Sequence, residues 1–496
     1  MTRRVPLLSG ERITVVDVPD DGVVLRPPMP RNRLDDVGAA VREALRFPLA
    51  GPPLERLATR GGTATVVIEQ PSLPIPSAPA EPRHEALATT VDELDRLGVA
   101  RITILVAGGL QRRTTPREIG LLVPPEFRRR FRGRVIVHDA EGDLFDLGRT
   151  GNVSLHVNRA LVETDLVVTV TAAETVLNGG PASLLKACGR DAMRVGGAVS
   201  LLETSGSQGW RLGLELERRL SARVPLTGVS LVLNLPNVGG MFGGFPYDEQ
   251  ALERLAGSRL RRGLGIVPAS VRRRVIERLP RELTVAAVFG GVPSAAHTEA
   301  LLRAIAFKGV ALEEPLDAIV IGIPPVTPFV PRERPNPLSA AYLGLGLALR
   351  LWRDAFPLRH GATVILLHHF QRQFARPTQA PYRSLFFDPR TARDLDAMRE
   401  GERAAVADER AIDDYRAGRA VHPLEPFVEW SACDATANRL RSVVIAGCRD
   451  ATAARQLGFV PAHNVATALG MARGAGAERI GFLLAPPYFP LLVGRR

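Results

Sequence analysis

Apolar residues in this chain gather into short, nearly continuous runs separated by longer stretches of helical spacing. The runs are TATVVIE (63–69), RITILVA (101–107), RVIVHD (134–139), DLVVTVT (165–171), GVSLVLNL (228–235), LTVAAVF (283–289), DAIVIGI (317–323), ATVILLHH (362–369), SVVIAG (442–447) and RIGFLLA (479–485). Val-, Ile- and Leu-rich runs of this length suit strands covered on both faces. Between them, stretches such as EPRHEALATTVDELDRLG and SAAHTEALLRAIAFKG have helical periodicity and end in glycine, a common helix stop. The alternation predicts an α/β fold with mainly parallel sheets covered by helices.

The pattern divides into two domains, 1–310 with its core starting near residue 60, and 311–496, with a ligand cleft between them. The final segment either stays with the second domain or returns to the first. Two irregular stretches, PPVTPFVPRERPNP (324–337) and QRQFARPTQAPYRSLFFDP (371–389), follow strands of the second half. Loops at the carboxyl ends of strands are where open α/β sheets bind ligands.

Composition narrows the picture. The 496 residues are 45% hydrophobic and 23% charged, the balance of a globular protein. The sequence has no apolar run of the roughly 18 to 20 residues that a membrane span requires, and the N-terminus turns polar too early for a secretory signal, so a cytoplasmic protein is expected. Cys188, Cys433 and Cys448 show no metal or disulfide spacing. Net charge is +12, and every basic residue except Lys186 and Lys308 is arginine or histidine. The densest basic run is PPEFRRRFRGR (124–134), with SVRRRVIERLPR (270–281) next. Phe127 and Phe131, one turn apart, make the first a solvated amphipathic helix face in preference to a nucleic-acid patch. With 5% aromatic residues, stacking platforms for single strands are few.

Three loops carry candidate chemistry. After the 63–69 run, EQPSLPIPSAP forms a proline-stiffened connection. After the 101–107 run, AGGLQRRTTPREIG holds Gly108 and Gly109 for close backbone approach, with Arg112, Thr114 and Thr115; Thr115 caps a helix with Pro116 at its first position and Glu118 at its third. That arrangement is the best phosphate-site candidate in the chain. After the 165–171 run, AAETVLNGGPASLLKACG places Gly179 and Gly180 before Pro181, with Asn178 as a helix cap and Lys186 one turn further in. His368 and His369 lie on opposite faces of a strand and cannot share a metal, and the other histidines have no partner at metal spacing.

The order of these segments resembles the nickel-pincer lactate racemase family: the PIPS loop, AGGLQRRTT, DLVVTVT with its NGG turn, SGSQGW, and the passage from TVAAVFGG to DAIVIGIP. The resemblance runs from about residue 60 over most of the chain. It implies a pyridinium mononucleotide with two sulfur arms tethered through a lysine, a nickel that accepts hydride from the substrate α-carbon, and two histidines as acid and base. Carried onto this sequence, the arginine of the first loop falls on Leu73, the histidine of the second on Gln111, the tethering lysine on Ala182, the nickel ligand near Thr204 and the substrate-binding lysine near Gly346. The second catalytic histidine has Glu174 as its nearest counterpart. Leucine cannot hold a carboxylate, glutamine cannot titrate and alanine cannot form a thioamide.

The sequence therefore predicts a divergent relative that binds a nucleotide-like or anionic ligand between its domains through Gly108, Gly109, Arg112, Thr114, Thr115, Gly179 and Gly180, without family-type racemisation. One alternative is a racemase or epimerase of another 2-hydroxy acid that still carries the nickel-pincer nucleotide, with Lys186 and Glu174 taking over the lost roles. The other is a basic scaffold for nucleic acid or an acidic partner.

Overall fold

A computed structural model describes the chain except residues 1–2, 11, 31, 77, 79, 196–197, 269–270, 273–274, 276–277, 389–394 and 495–496. The middle of the 270–281 basic run thus lies outside the described residues. The chain opens on an antiparallel hairpin, β1 (Arg3–Ser9) and β2 (Arg12–Val18), followed by a short strand, β3 (Val23–Leu25). A first six-stranded sheet contains β4 (Thr63–Glu69), β5 (Arg101–Ala107), β6 (Arg134–Val137), β7 (Leu166–Ala172), β8 (Leu226–Leu233) and β9 (Val285–Gly291). A second contains β10 (Leu316–Gly322), β11 (Leu358–Leu367), β12 (Leu440–Ala446), β13 (Val460–Ala462) and β14 (Ile480–Leu483), with β3 at its edge.

The first sheet is ordered β9-β8-β7-β4-β5-β6 and the second β13-β12-β11-β10-β14-β3. All neighbours pair in parallel except β8 and β9, which run antiparallel. The α/β reading with mainly parallel sheets holds, and each of the ten apolar runs contributes a strand.

Period-two alternation explains why the runs are apolar throughout. In the first sheet Val66, Ile68, Ile104 and Val168 pack with Val41, Leu87 and Leu94 from helices on one face, while Val67, Leu105 and Val167 meet Leu212, Leu216 and Leu220 on the other. Both faces being covered, each such side chain contributes roughly 1.5–3 kcal/mol. In the second sheet, Ile319 and Ile321 face the large central core. Ala318 and Val320 instead meet Val5, Leu7, Val16 and Val18. The N-terminal hairpin thereby covers the face of a sheet whose other strands, β3 aside, begin three hundred residues later.

Two local expectations fail. Thr115 and Glu118 do pair, since the Thr115 backbone N–H and hydroxyl both donate to Glu118 Oε2, at 3.0 and 2.7 Å. No α-helix follows them; the chain makes only a 3-10 turn, Ile119–Leu121. Asn178 caps nothing: the helix Pro181–Leu185 begins from Gly180 with no side-chain cap, and the Asn178 amide donates to Thr175 Oγ1 at 2.9 Å. Phe127 is buried in the short helix Pro125–Arg130 and stacks on Phe131 at 5.3 Å, leaving Arg128, Arg129 and Arg130 exposed to solvent.

Candidate functional site

The loops after β4, β5 and β7 meet the second half of the chain across a cavity of about 280 Å³. Gln70 joins the two sides: its amide donates to Thr114 Oγ1 at 3.1 Å, and its carbonyl accepts from Val330 N at 2.9 Å. The glycine loop is clamped from the second half as well. Tyr415 donates its hydroxyl to Gly109 O at 3.1 Å, and His422 N donates to Leu110 O at 2.9 Å.

From the first half the cavity is lined by Gln70, Ser72, Gly108, Gly109, Gln111, Asn178, Ala182 and Lys186, and from the second by Phe329, Tyr342, Gly346, Arg350, Glu425 and Glu429. Gly108 is open to it, because an added Cβ would find its nearest heavy atom, Gln70 Nε2, 4.0 Å away. Lys186 donates to Glu69 Oε2 at 2.8 Å and to Asn178 Oδ1. Burial raises the Glu69 carboxyl above its ordinary value, against the pull of Lys186.

The other residues singled out in the sequence are occupied elsewhere. Arg112 is buried, donates to Gly418 O at 2.6 Å and pairs with Glu118. Arg113 donates to His138 O at 3.1 Å and to Arg416 O. Thr114 is fixed by Gln70, and Thr115 by Glu118. Gly179 and Gly180 turn toward His297: an added Cβ would lie 2.4 Å from His297 Cε1 at the first and 2.4 Å from His297 Cβ at the second. These six residues do not line the cavity. Glu174 accepts from Ser72 N at 2.8 Å, from the Ser72 hydroxyl and from Arg83. Burial pushes its carboxyl up, but Arg83 and the two Ser72 donors outweigh that and hold it below the usual range.

Sequence reading missed the second-half wall. Glu425 and Glu429 stand one turn apart on the helix Glu425–Ala437, and only 7% and 3% of their surfaces are exposed. The signal was present in EPFVEWSAC, where two acids at i, i+4 share an otherwise apolar run. Burial raises Glu425 to about 7, with Lys186 pulling the other way, and burial with the neighbouring Glu425 raises Glu429 further.

At the positions that the family resemblance assigns to a tethered, nickel-bearing nucleotide, the residues present do not supply the groups it would use. Among the described residues no three His, Cys, Asp or Glu side chains stand together as a metal site, and the cavity lining includes no histidine. Ala182 offers no amine. A side chain on Gly346 would start 2.4 Å from Tyr342 Cδ2, and Leu73 is packed into the central core. Gln111 spends its amide on Glu425.

Residues 10–180 match the lactate racemase N-terminal domain family. Over its whole length the chain shares the fold of the lactate racemase apoprotein from Thermoanaerobacterium thermosaccharolyticum, with 15% identity, full coverage of both chains and a TM-score of 0.61. A crystallised protein from Thermotoga maritima, a structural genomics target, matches at 11% identity and a TM-score of 0.51, with 94% of this chain and 100% of that one covered. No curated protein sequence matches the chain.

Proposed function

Starting from a chain that carries a lactate racemase N-terminal domain and the lactate racemase fold throughout, we propose that it binds a small polar ligand in the cleft between its two sheets and does not perform the hydride transfer of that family. The observation that carries this reading is the cavity itself. It is lined from both halves, as a ligand site at strand carboxyl ends should be, and its lining includes glutamine, alanine and glycine at the positions to which the family resemblance assigns acid–base, tether and substrate-clamping groups.

Phosphate recognition by the glycine loop loses support, because Arg112 and Arg113 point their donors at Gly418, Glu118, His138 and Arg416. An altered enzyme has the placement of Lys186 in its favour. It has against it that Glu174, its base, is already bound to Arg83 and Ser72.

Two measurements test the proposal. After co-production with the enzymes that make the pincer nucleotide, the chain should show an unmodified intact mass, no bound nickel and no interconversion of D- and L-lactate; a cofactor adduct or racemisation overturns the second half of the proposal. Thermal-shift screening with small polar metabolites at millimolar concentration should yield stabilisation that Gly108→Leu, which fills the cavity, removes. No response to any probe, or a response untouched by that variant, overturns the first half.

A further inference from the structure

Every cation that lines the cavity is committed to a partner other than the two carboxyls of the second-half wall. Lys186 is bound to Glu69 and Asn178, and Arg194 to Glu402. Arg350 directs its guanidinium at the carbonyl oxygens of Ala198, Val199, Gly346 and Ala432. Among the described residues Glu425 receives only the neutral amide of Gln111. Glu429 has the hydroxyls of Tyr382 and Ser339 as polar neighbours, and among the described residues its buried Oε2 has no hydrogen-bond partner. Among the described residues, neither carboxyl takes part in an ion pair.

Two carboxyls held this deep without an ion-pair partner are costly when ionised, and an unpaired buried acceptor adds its own desolvation cost. A cationic group placed between them would remove both costs. Their spacing of one helical turn puts the two acids side by side on the same face, so one ammonium with three N–H donors can serve both. A cavity of about 280 Å³ limits the ligand to a few heavy atoms beyond that group.

From these contacts we infer that the cleft recognises a small molecule bearing a primary ammonium group, with Glu425 and Glu429 as its receptors. This rests on the cleft being a ligand site and names the class of ligand it takes. Polarity has thus inverted relative to a carboxylate clamp: the wall that meets the ligand offers acceptors, and Lys186 keeps one N–H for whatever lies at the ligand's other end.

The test uses size-matched probe pairs on the full chain at pH 8 by isothermal titration calorimetry: alanine against lactate in both hands, 4-aminobutanoate against 4-hydroxybutanoate, and 1,4-diaminobutane against 1,4-butanediol. At least one ammonium member should bind ten-fold or more tightly than its hydroxyl partner. Glu429→Gln and Glu425→Gln, which keep shape and remove charge, should each abolish that preference by weakening the ammonium member ten-fold or more. Equal or tighter binding of the hydroxyl members in every pair overturns the ammonium assignment and leaves the cleft reading standing. A preference that survives both glutamine variants overturns the assignment of receptors. Absence of binding by every probe overturns both this inference and the cleft reading. The comparison of probes on the unaltered chain does not depend on either variant folding.

Discussion

His138, His297 and His368 are each sealed from solvent, and burial lowers the first two to about 4 and the third to about 3. In the unfolded chain a histidine takes up its proton near pH 6.5, so between 6.5 and 4 the unfolded state binds more protons than the folded one. Stability therefore falls as pH falls through that window. The loss should reach about 2 kcal/mol per histidine by pH 5. Urea midpoints measured from pH 7 to pH 5 check this, and a flat profile refutes it. His297 is also the reason for the glycine pair beneath it. Gly179 has φ +95° and no room for a Cβ, so Gly179→Ala should lose about 1–3 kcal/mol or more in urea. Gly108→Ala, which points into open space, should stay within about 0.5 kcal/mol of the parent.

At the scale of elements, the N-terminal hairpin acts as a cover for the second sheet. Leu7 is fully buried against that sheet, and Gly10 N donates to Ile323 O at 2.9 Å at the sheet's carboxyl end. Leu7→Ala should therefore lower the stability of the chain by about 2–5 kcal/mol, read from the urea midpoint. Hydrogen exchange should localise the added opening to β10 and β14; protection loss confined to residues 3–18 would show that the hairpin stands apart. The ten core strands were legible because burial on both faces demands unbroken apolar runs. The hairpin and β3 were not, since their pairing and their choice of sheet depend on contacts hundreds of residues away. The antiparallel direction of β9 escaped for the same reason, as a buried run reads alike in either direction.

For the molecule as a whole, the net charge of +12 raises the question of a nucleic-acid partner. Arg130 is paired with Asp92 at 3.0 Å and lies over the Phe127 ring, and Arg128 reaches Pro116 O at 3.2 Å. These contacts tie part of the basic run to the molecule's own surface. Retention on heparin should consequently vanish at moderate salt, whereas binding that persists there would mark a true polyanion surface.

The sequence alone determined the α/β class, the strand positions and the likeness to lactate racemases, because each of these is written in local periodicity or in residue identity. It did not determine what the surviving loops face. Arg112, Thr114 and Thr115 carry the residue types of an anion site, but the tertiary structure turns Arg112 toward Gly418 and Glu118 and fixes both threonines by neighbouring side chains. Lys186 lines the cavity as its place in sequence suggested, while its charge goes to Glu69. The two carboxyls that define the opposite wall sit more than two hundred residues away from that lysine. Only packing of the two halves brings them to one cavity, because direction, burial and countercharge are properties of the assembled chain and not of any segment of it.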